Sequence, residues 1–324
     1  MKFKRLFFAL AAFALTAGPA VTARAEYPER QVKVIVPYSP GGPADLLARH
    51  VAQKLSVALK QPFVIENKPG AGLVIGADAA ARSAPDGYTL FVAASSMLMD
   101  SGARGRKPED NLKDFAPISL IASVPLVLIT NPSLPARNVR DLIDYARSHP
   151  GGVNYGSSGS GSLTHLAGEL FNASAGVKLM HVPYRGINEA VADLMANRVQ
   201  VSFAGSPIAL PHAKDGKVRP VAVTSITRTA SAPDLPTIAE AALPGYDVNP
   251  WYGLVAPAAT PAPILEKLHA EVLRILQSPE VKERWVAWGA DPAYSKTPAE
   301  FSSLMRSEAA KWAKLRSEGR VKLD

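Results

Sequence analysis

Two glycine-rich stretches have the residue types and spacing to hold an anion. The first is Tyr38-Ser39-Pro40-Gly41-Gly42-Pro43-Ala44-Asp45, and the second is Gly156-Ser157-Ser158-Gly159-Ser160-Gly161-Ser162, followed by Leu163-Thr164-His165. Each lies between a strand-like run and a segment whose apolar residues recur at helical spacing. Each therefore places backbone N–H groups at the positive end of a helix dipole, where a carboxylate or phosphate is held without a charged side chain. Asp45 either caps the first helix or fills its first turn. A tight strand-to-helix connection explains the first stretch equally well. A flexible linker explains the second less well, because linkers do not usually abut a strand on one side and an amphipathic helix on the other.

Catalytic chemistry finds less support. A serine nucleophile elbow needs Gly-x-Ser-x-Gly, a register that Gly156 to Gly161 does not deliver. No glycine loop is followed by a Walker lysine, and none spells the dinucleotide fingerprint. His50, His149, His165, His181, His212 and His269 are scattered, with no pair at the i, i+4 spacing of a zinc helix, and the chain has no cysteine. No cofactor and no metal are expected. His165 alone lies at a candidate site, and a lone histidine is more often structural than catalytic. An exported hydrolase using a serine of the second loop stands as the alternative from another class.

The elements that position these loops follow an alternating order. Val32 to Val36 reads as a buried strand, with Leu46, Leu47, Val51 and Leu55 on a helix after the first loop. Strand Phe63 to Glu66, loop Asn67 to Gly72 and helix Val74 to Arg82 repeat the unit, and strand Tyr88 to Ala94 ends at Ser95-Ser96. Alternating strands and helices predict a parallel sheet with a ligand crevice at its carboxyl edge. The run Leu120 to Thr130, broken only by Ser123 and Pro125, is long enough to cross into a second lobe. There, strand Val153 to Tyr155, helix Leu163 to Ala173, strand Lys178 to Val182, helix Asn188 to Ala196, and strands Val199 to Phe203 and Val218 to Thr224 repeat the pattern. Asp247 to Ala256, containing Trp251 and Tyr252, returns to the first lobe before three C-terminal helices. The expected fold is α/β, two-lobed, with two crossover segments and lobes at residues 26–125, 126–248 and 249–324. Two crossings make a hinge, and closure around a ligand is expected.

Residues 1–25 read as a secretory signal peptide: Lys2, Lys4 and Arg5 precede the apolar run Leu6 to Ala17, and Ala23-Arg24-Ala25 supplies a cleavage site. Lys2, Lys4, Arg5 and Arg24 account for half of the net +8, so a processed chain carries only +4. The remaining basic residues are interleaved with acids, which disfavours nucleic acid as a partner. The mature protein is expected to be a soluble periplasmic monomer.

Five motifs together resemble the Bug family of extracytoplasmic solute receptors: Val36-Pro37-Tyr38-Ser39-Pro40-Gly41-Gly42, Glu66 to Gly72, Ala84-Pro85-Asp86-Gly87-Tyr88-Thr89-Leu90, Thr164 to Leu170, and His181-Val182-Pro183-Tyr184-Arg185-Gly186. The similarity runs from Tyr27 to the end of the chain. It implies the two-lobed periplasmic binding protein fold, a small carboxylate ligand, and integral membrane subunits of a tripartite tricarboxylate transporter as partners. A sensory receptor feeding a membrane kinase would use the same clamp. The expected ligand-binding set is Tyr38, Ser39, Pro40, Gly41, Gly42, Ala44, Asp45, Ser95 and Ser96 from the first lobe. The second lobe adds Ser157, Ser158, Gly159, Ser162, Thr164, His165, Tyr184, Ala204 and Gly205. Arg185 is a further candidate for a bond to an acid. Where relatives often carry aspartate and asparagine after the strand ending at Phe203, this chain has Ala204 and Gly205, which implies a ligand without an ammonium group. The segment Met97 to Asn111 carries Arg104, Arg106 and Lys107 in place of the usual Asn-Pro and tyrosine pattern, so the cleft entrance is expected to differ.

Overall fold

The computed structural model describes residues 27–70, 73–98 and 112–321. Residues 1–25, expected to be a signal peptide, Gly72, and the segment bearing Arg104, Arg106 and Lys107 lie outside the described residues.

β1 (Val32–Val36) is a β-branched run buried everywhere but at Lys33, and α1 (Pro43–Leu59) starts on Pro43, whose missing N–H costs nothing in a first turn. β2 (Phe63–Asn67), α2 (Val74–Ala81) and β3 (Thr89–Ala94) follow, and a 3-10 turn covers Ser95–Leu98. β4 (Phe115–Ser123) ends the first passage through this lobe. The second lobe holds β5 (Leu126–Thr130), α3 (Val139–Ser148), β6 (Asn154–Ser157), α4 (Leu163–Ala175), β7 (Met180–Pro183) and α5 (Ile187–Met195). It continues through β8 (Val201–Gly205), α6 (Ser206–Lys214), β9 (Arg219–Val223) and α7 (Ile238–Ala241). β10 (Trp251–Pro257), α8 (Ala262–Gln277), α9 (Pro279–Ala287), β11 (Asp291–Pro292) and α10 (Pro298–Ser317) complete the chain.

The strands form two sheets, ordered β11-β4-β10-β3-β1-β2 and β7-β6-β8-β5-β9. The sheets are mixed, where alternation alone predicts parallel ones. β1 runs parallel to β2 and β3, and β6 parallel to β7 and β8, but β10 is antiparallel to β3 and β4, and β5 antiparallel to β8 and β9. The reason is the crossing itself. A strand that has just come through the hinge must run away from the cleft, whereas β1, β3, β6 and β8 run toward it. The apolar run Leu120 to Thr130 is accordingly cut in two at Val124-Pro125, with β4 in one sheet and β5 in the other.

The two crossings are bonded to each other. Val124 N–H donates to the Pro250 carbonyl at 2.8 Å, and Ser123 Oγ bonds the Asn249 side chain. The α6 start is tied to the same point, as both the N–H and the hydroxyl of Ser206 donate to the Pro125 carbonyl, at 3.0 and 2.7 Å. Each sheet is covered by helices on both faces, so both lobes are three-layered. α10 serves both, placing Phe301 and Met305 in a first-lobe core with Phe91 and Trp251, and Trp312 and Leu315 in the second-lobe core with Leu166 and Phe171.

Candidate functional site

The first-lobe loop is held by a buried carboxylate. Gly41 has φ +87°, a conformation that favours glycine, and Gly42 is the helix N-cap without any side-chain bond. Asp45 does not cap α1. Its carboxylate turns back to accept from Gly41 N–H at 2.9 Å, Arg49 Nε at 2.9 Å and Asn67 Nδ2 at 2.8 Å. Burial alone would raise its pKa, but the bonds from Arg49, Gly41 and Asn67 outweigh that and hold it below the usual carboxylate range. The N–H of Gly41 is thus spent on Asp45, and the backbone left to meet an anion at this helix end narrows to Gly42 and the first turn of the helix. Ser39 and Pro40 are exposed, while the Ala44 side chain is buried in the core, so Ala44 can offer only its backbone.

Tyr38 meets Ser96 through their hydroxyls at 3.2 Å and packs edge-on to Tyr252. Burial pushes the Tyr38 phenol up to about 12, partly offset by Ser96, which keeps it a neutral donor. Ser95 is buried and accepts from Trp251 N–H at 3.3 Å, fixing the end of β3 to the returning strand β10.

In the second lobe the glycine-serine loop is cross-braced. Ser162 caps α4 by accepting from His165 N–H at 3.2 Å, and Thr164 Oγ1 accepts from Ser158 N–H at 2.9 Å. Gly161 N–H donates to His165 Nδ1 at 3.0 Å, which requires that nitrogen to be unprotonated. The scattered histidines of the sequence do make one pair in space: the rings of His165 and His181 stack at 4.0 Å. His181 Nε2 meets Ser157 Oγ at 2.6 Å.

That serine–histidine contact is not a nucleophile and its base. Ser157 is fully buried, and its hydroxyl also accepts from Gly159 N–H at 3.1 Å. Burial, with His165 adding to it, pushes the His181 pKa down to about 4, too weak for a base at neutral pH. The pair instead pins the loop, with a consequence for stability. Between about 4 and the ordinary histidine value near 6.5 the unfolded chain takes a proton that the folded one refuses. Stability is therefore complete above that window and falls with pH inside it. Thermal unfolding of His181→Gln should show a flatter slope there, and not a flat one, since burial also lowers His50.

The remaining expected residues fall less centrally. The Tyr184 phenol donates to Asp193 at 2.8 Å, so it is turned to α5, the helix that follows it, and Arg185 is exposed. Ala204 is fully buried among Val127, Ile129 and Val191, so its side chain faces the core and not the cleft. Gly205 ends β8 beside Val124 at the crossing.

A cavity of about 800 Å³ lies between the lobes. It brings Gly41, Gly42 and Pro43 of the first lobe opposite Asn188, Ser206 and Pro207 of the second, with Trp288 beside them. The glycine-serine loop is not among its lining residues. Sequence reasoning missed the α6 wall, because Pro207 and Pro211 argue against a helix there; Pro207 sits in the first turn and Pro211 inside the helix. Nothing in the spacing marked Trp288.

Two three-layered lobes, hinged by paired crossings and facing each other with helix N-terminal loops, define a two-lobed periplasmic binding protein. The family model of the tripartite tricarboxylate transporter family receptor, TctC, matches residues 47–319. Protein BugT of Bordetella pertussis is 37% identical over 326 residues, covering 100% of each chain. A solved structure of an R. palustris protein with adipate is 35% identical with a TM-score of 0.78, covering 91% of this chain and 99% of that one. MatC from Rhodopseudomonas palustris with bound malate is 31% identical with a TM-score of 0.74, covering 89% and 99%. The chain belongs to the TctC family of periplasmic receptors. It is a solute receptor serving a membrane transporter and not an enzyme, which leaves the hydrolase and kinase-sensor alternatives without support.

Proposed function

We propose that this receptor captures a small carboxylate between its lobes, with one carboxylate oxygen pair at the Gly42 end of α1 and the Gly156 to Ser162 loop closing from the second lobe. The observation that carries this is the position of Gly41 and Gly42, at a helix N-terminus and on the wall of the inter-lobe cavity. Family membership supports it, since the relatives above hold adipate and malate. Tyr38, Ser39, Ser95, Ser96, Ser158, Ser162 and Thr164 surround the two loops and supply neutral hydrogen bonds. Lobe limits near residues 125 and 248 fit the crossings at Val124-Pro125 and Asn249-Pro250. Removal of residues 1–25 on export and a monomeric receptor complete the reading; N-terminal sequencing and light scattering of the exported protein check both.

The site is tested by Gly42→Val. Gly42 has φ −78°, which any residue adopts, and an added Cβ would meet only the Ser39 carbonyl at 3.9 Å. The fold should therefore tolerate valine, while the side chain stands where the carboxylate must approach. A thermal-shift screen of carboxylic acids identifies a binder. Calorimetry should then show its affinity falling about a hundredfold, or ~3 kcal/mol, at nearly unchanged melting temperature. Retained affinity would mean that the first loop is only a turn.

A further inference from the structure

The walls of the inter-lobe cavity carry information about the ligand beyond its carboxylate. From Gly42 the cavity runs between Leu46 and Trp288 on the first lobe and Ile208, Leu210 and Pro211 on the second. Its lining contains no aspartate or glutamate among the described residues, and its one charged side chain is Lys214. Leu46 is 40% exposed, although it lies in the second turn of a helix whose neighbouring Leu47 and Ala48 are buried. An exposed leucine at a cleft wall has its apolar surface available to something that enters.

We propose that the ligand is a carboxylic acid with a bulky apolar body, aromatic or cyclic aliphatic, seated between Leu46 and Trp288 on one side and Ile208 on the other. This rests on the reading of Gly42 as the carboxylate end. An ammonium group would find no counter-charge on these walls, Lys214 is the one cation there for a second carboxylate, and the hydroxyls of a hydroxy acid would lose water against leucine, isoleucine and tryptophan. An apolar ring gains from the same surfaces, with Trp288, itself stacked on Trp285 at 5.6 Å, as a fixed aromatic wall. Asn188, Ser206 and Ser231 are the polar side chains in the lining, too few to hydrate a polyhydroxy ligand along its length. A competing use of the walls is to pack against each other on closure, and Gly289 already touches Pro207 across the gap. That use predicts no dependence of affinity on the ligand's apolar size.

Calorimetry on the processed full chain with phenylacetate, cyclohexanecarboxylate, malate and adipate, and with 2-phenylethylamine and 2-phenylethanol as controls without a carboxylate, separates these readings. The expected result is that a cyclic acid binds at least tenfold more tightly than malate and adipate, and that Ile208→Asn narrows the gap by about tenfold. Leu46→Gln, on an exposed helix position, gives the same readout should the Ile208 variant not fold. Equal or tighter binding of malate or adipate, unchanged by either variant, overturns the apolar-body inference and leaves the carboxylate reading standing. Tight binding of an apolar amine or alcohol with no acid bound overturns the carboxylate reading and, with it, this inference.

Discussion

Gly168→Ala should lower the melting temperature of this receptor by about 3–5 °C, although alanine is the better helix former. Gly168 lies in the middle of α4, where replacing glycine gains about 1 kcal/mol of helix propensity. The opposing effect is larger. A Cβ on Gly168 would sit 2.2 Å from Tyr155 Cε2 and 2.5 Å from its Cζ, inside van der Waals contact. The ring cannot step aside, because it is fully buried, packed at a tilt against His181 at 5.0 Å, and anchored by its hydroxyl to Glu169 at 2.7 Å. Overpacking of a rigid core costs about 1–3 kcal/mol, and here the loss of the Tyr155 anchor adds to it, for a net ~2–3 kcal/mol. At about 300 residues the unfolding entropy is roughly 0.6 kcal/mol/K, so that converts to about 3–5 °C, read by thermal unfolding. Binding should weaken too, since a displaced Tyr155 pushes on His181 and thus on Ser157. An unchanged or raised melting temperature would show that helix propensity outweighs the contact.

The strand-loop-helix units were legible because period and punctuation agree in them. In Val32 to Leu55 a β-branched run, glycine-proline breakers and apolar residues at helical spacing all give one answer, and β1 and α1 appear where expected. The cleft was less legible. Glycine in Thr164 to Leu170 reads as a weak point of a helix, whereas Gly168 is there to admit the Tyr155 ring, a contact between a helix and a neighbouring strand that no local pattern encodes. The His165 and His181 stack has the same origin, depending on Tyr155 standing opposite His181 in the β6 and β7 register. Helix α6 was hidden by its own prolines. Family pattern puts Ala204 at the cleft, yet strand alternation in β8 turns its side chain into the core with Val127 and Ile129, and only the helices layered on both faces of the sheet bury it there. The role of Asp45 was half legible: its place in the first turn could be read, but the donors it gathers come from Asn67, 22 residues on, and from a glycine that precedes the helix.

Asp45→Asn should cost nearly as much as full removal of the side chain, despite being isosteric. All the partners of Asp45 in its pocket are donors: Gly41 N–H, Arg49 Nε and Asn67 Nδ2. A carboxylate accepts from all three, whereas a carboxamide has one accepting oxygen and turns its NH2 toward a donor. The carboxylate group is about 2% exposed, so water does not replace the lost bonds. Arg49 is half exposed and keeps its hydration, which limits the loss to the two buried donors and part of the ion pair, about 2–3 kcal/mol. The loop also loosens: without its bond to Asp45, Gly41 is free to leave φ +87°, and the Gly42 end of α1, the proposed carboxylate seat, loses its fixed position. Affinity for a carboxylate should fall by about tenfold or more even at temperatures where the variant is folded. The pH dependence separates this from simple loss of packing. Asp45 is depressed in the folded state, so its stabilisation is complete above the unfolded carboxylate value near 3.9 and is lost as pH falls through its lower folded value. The melting temperatures of wild type and Asp45→Asn should therefore differ by a constant amount near neutrality and converge in acid, where protonated Asp45 can no longer accept three donors. A gap that persists unchanged below pH ~3 would assign the effect to shape and not to the charge.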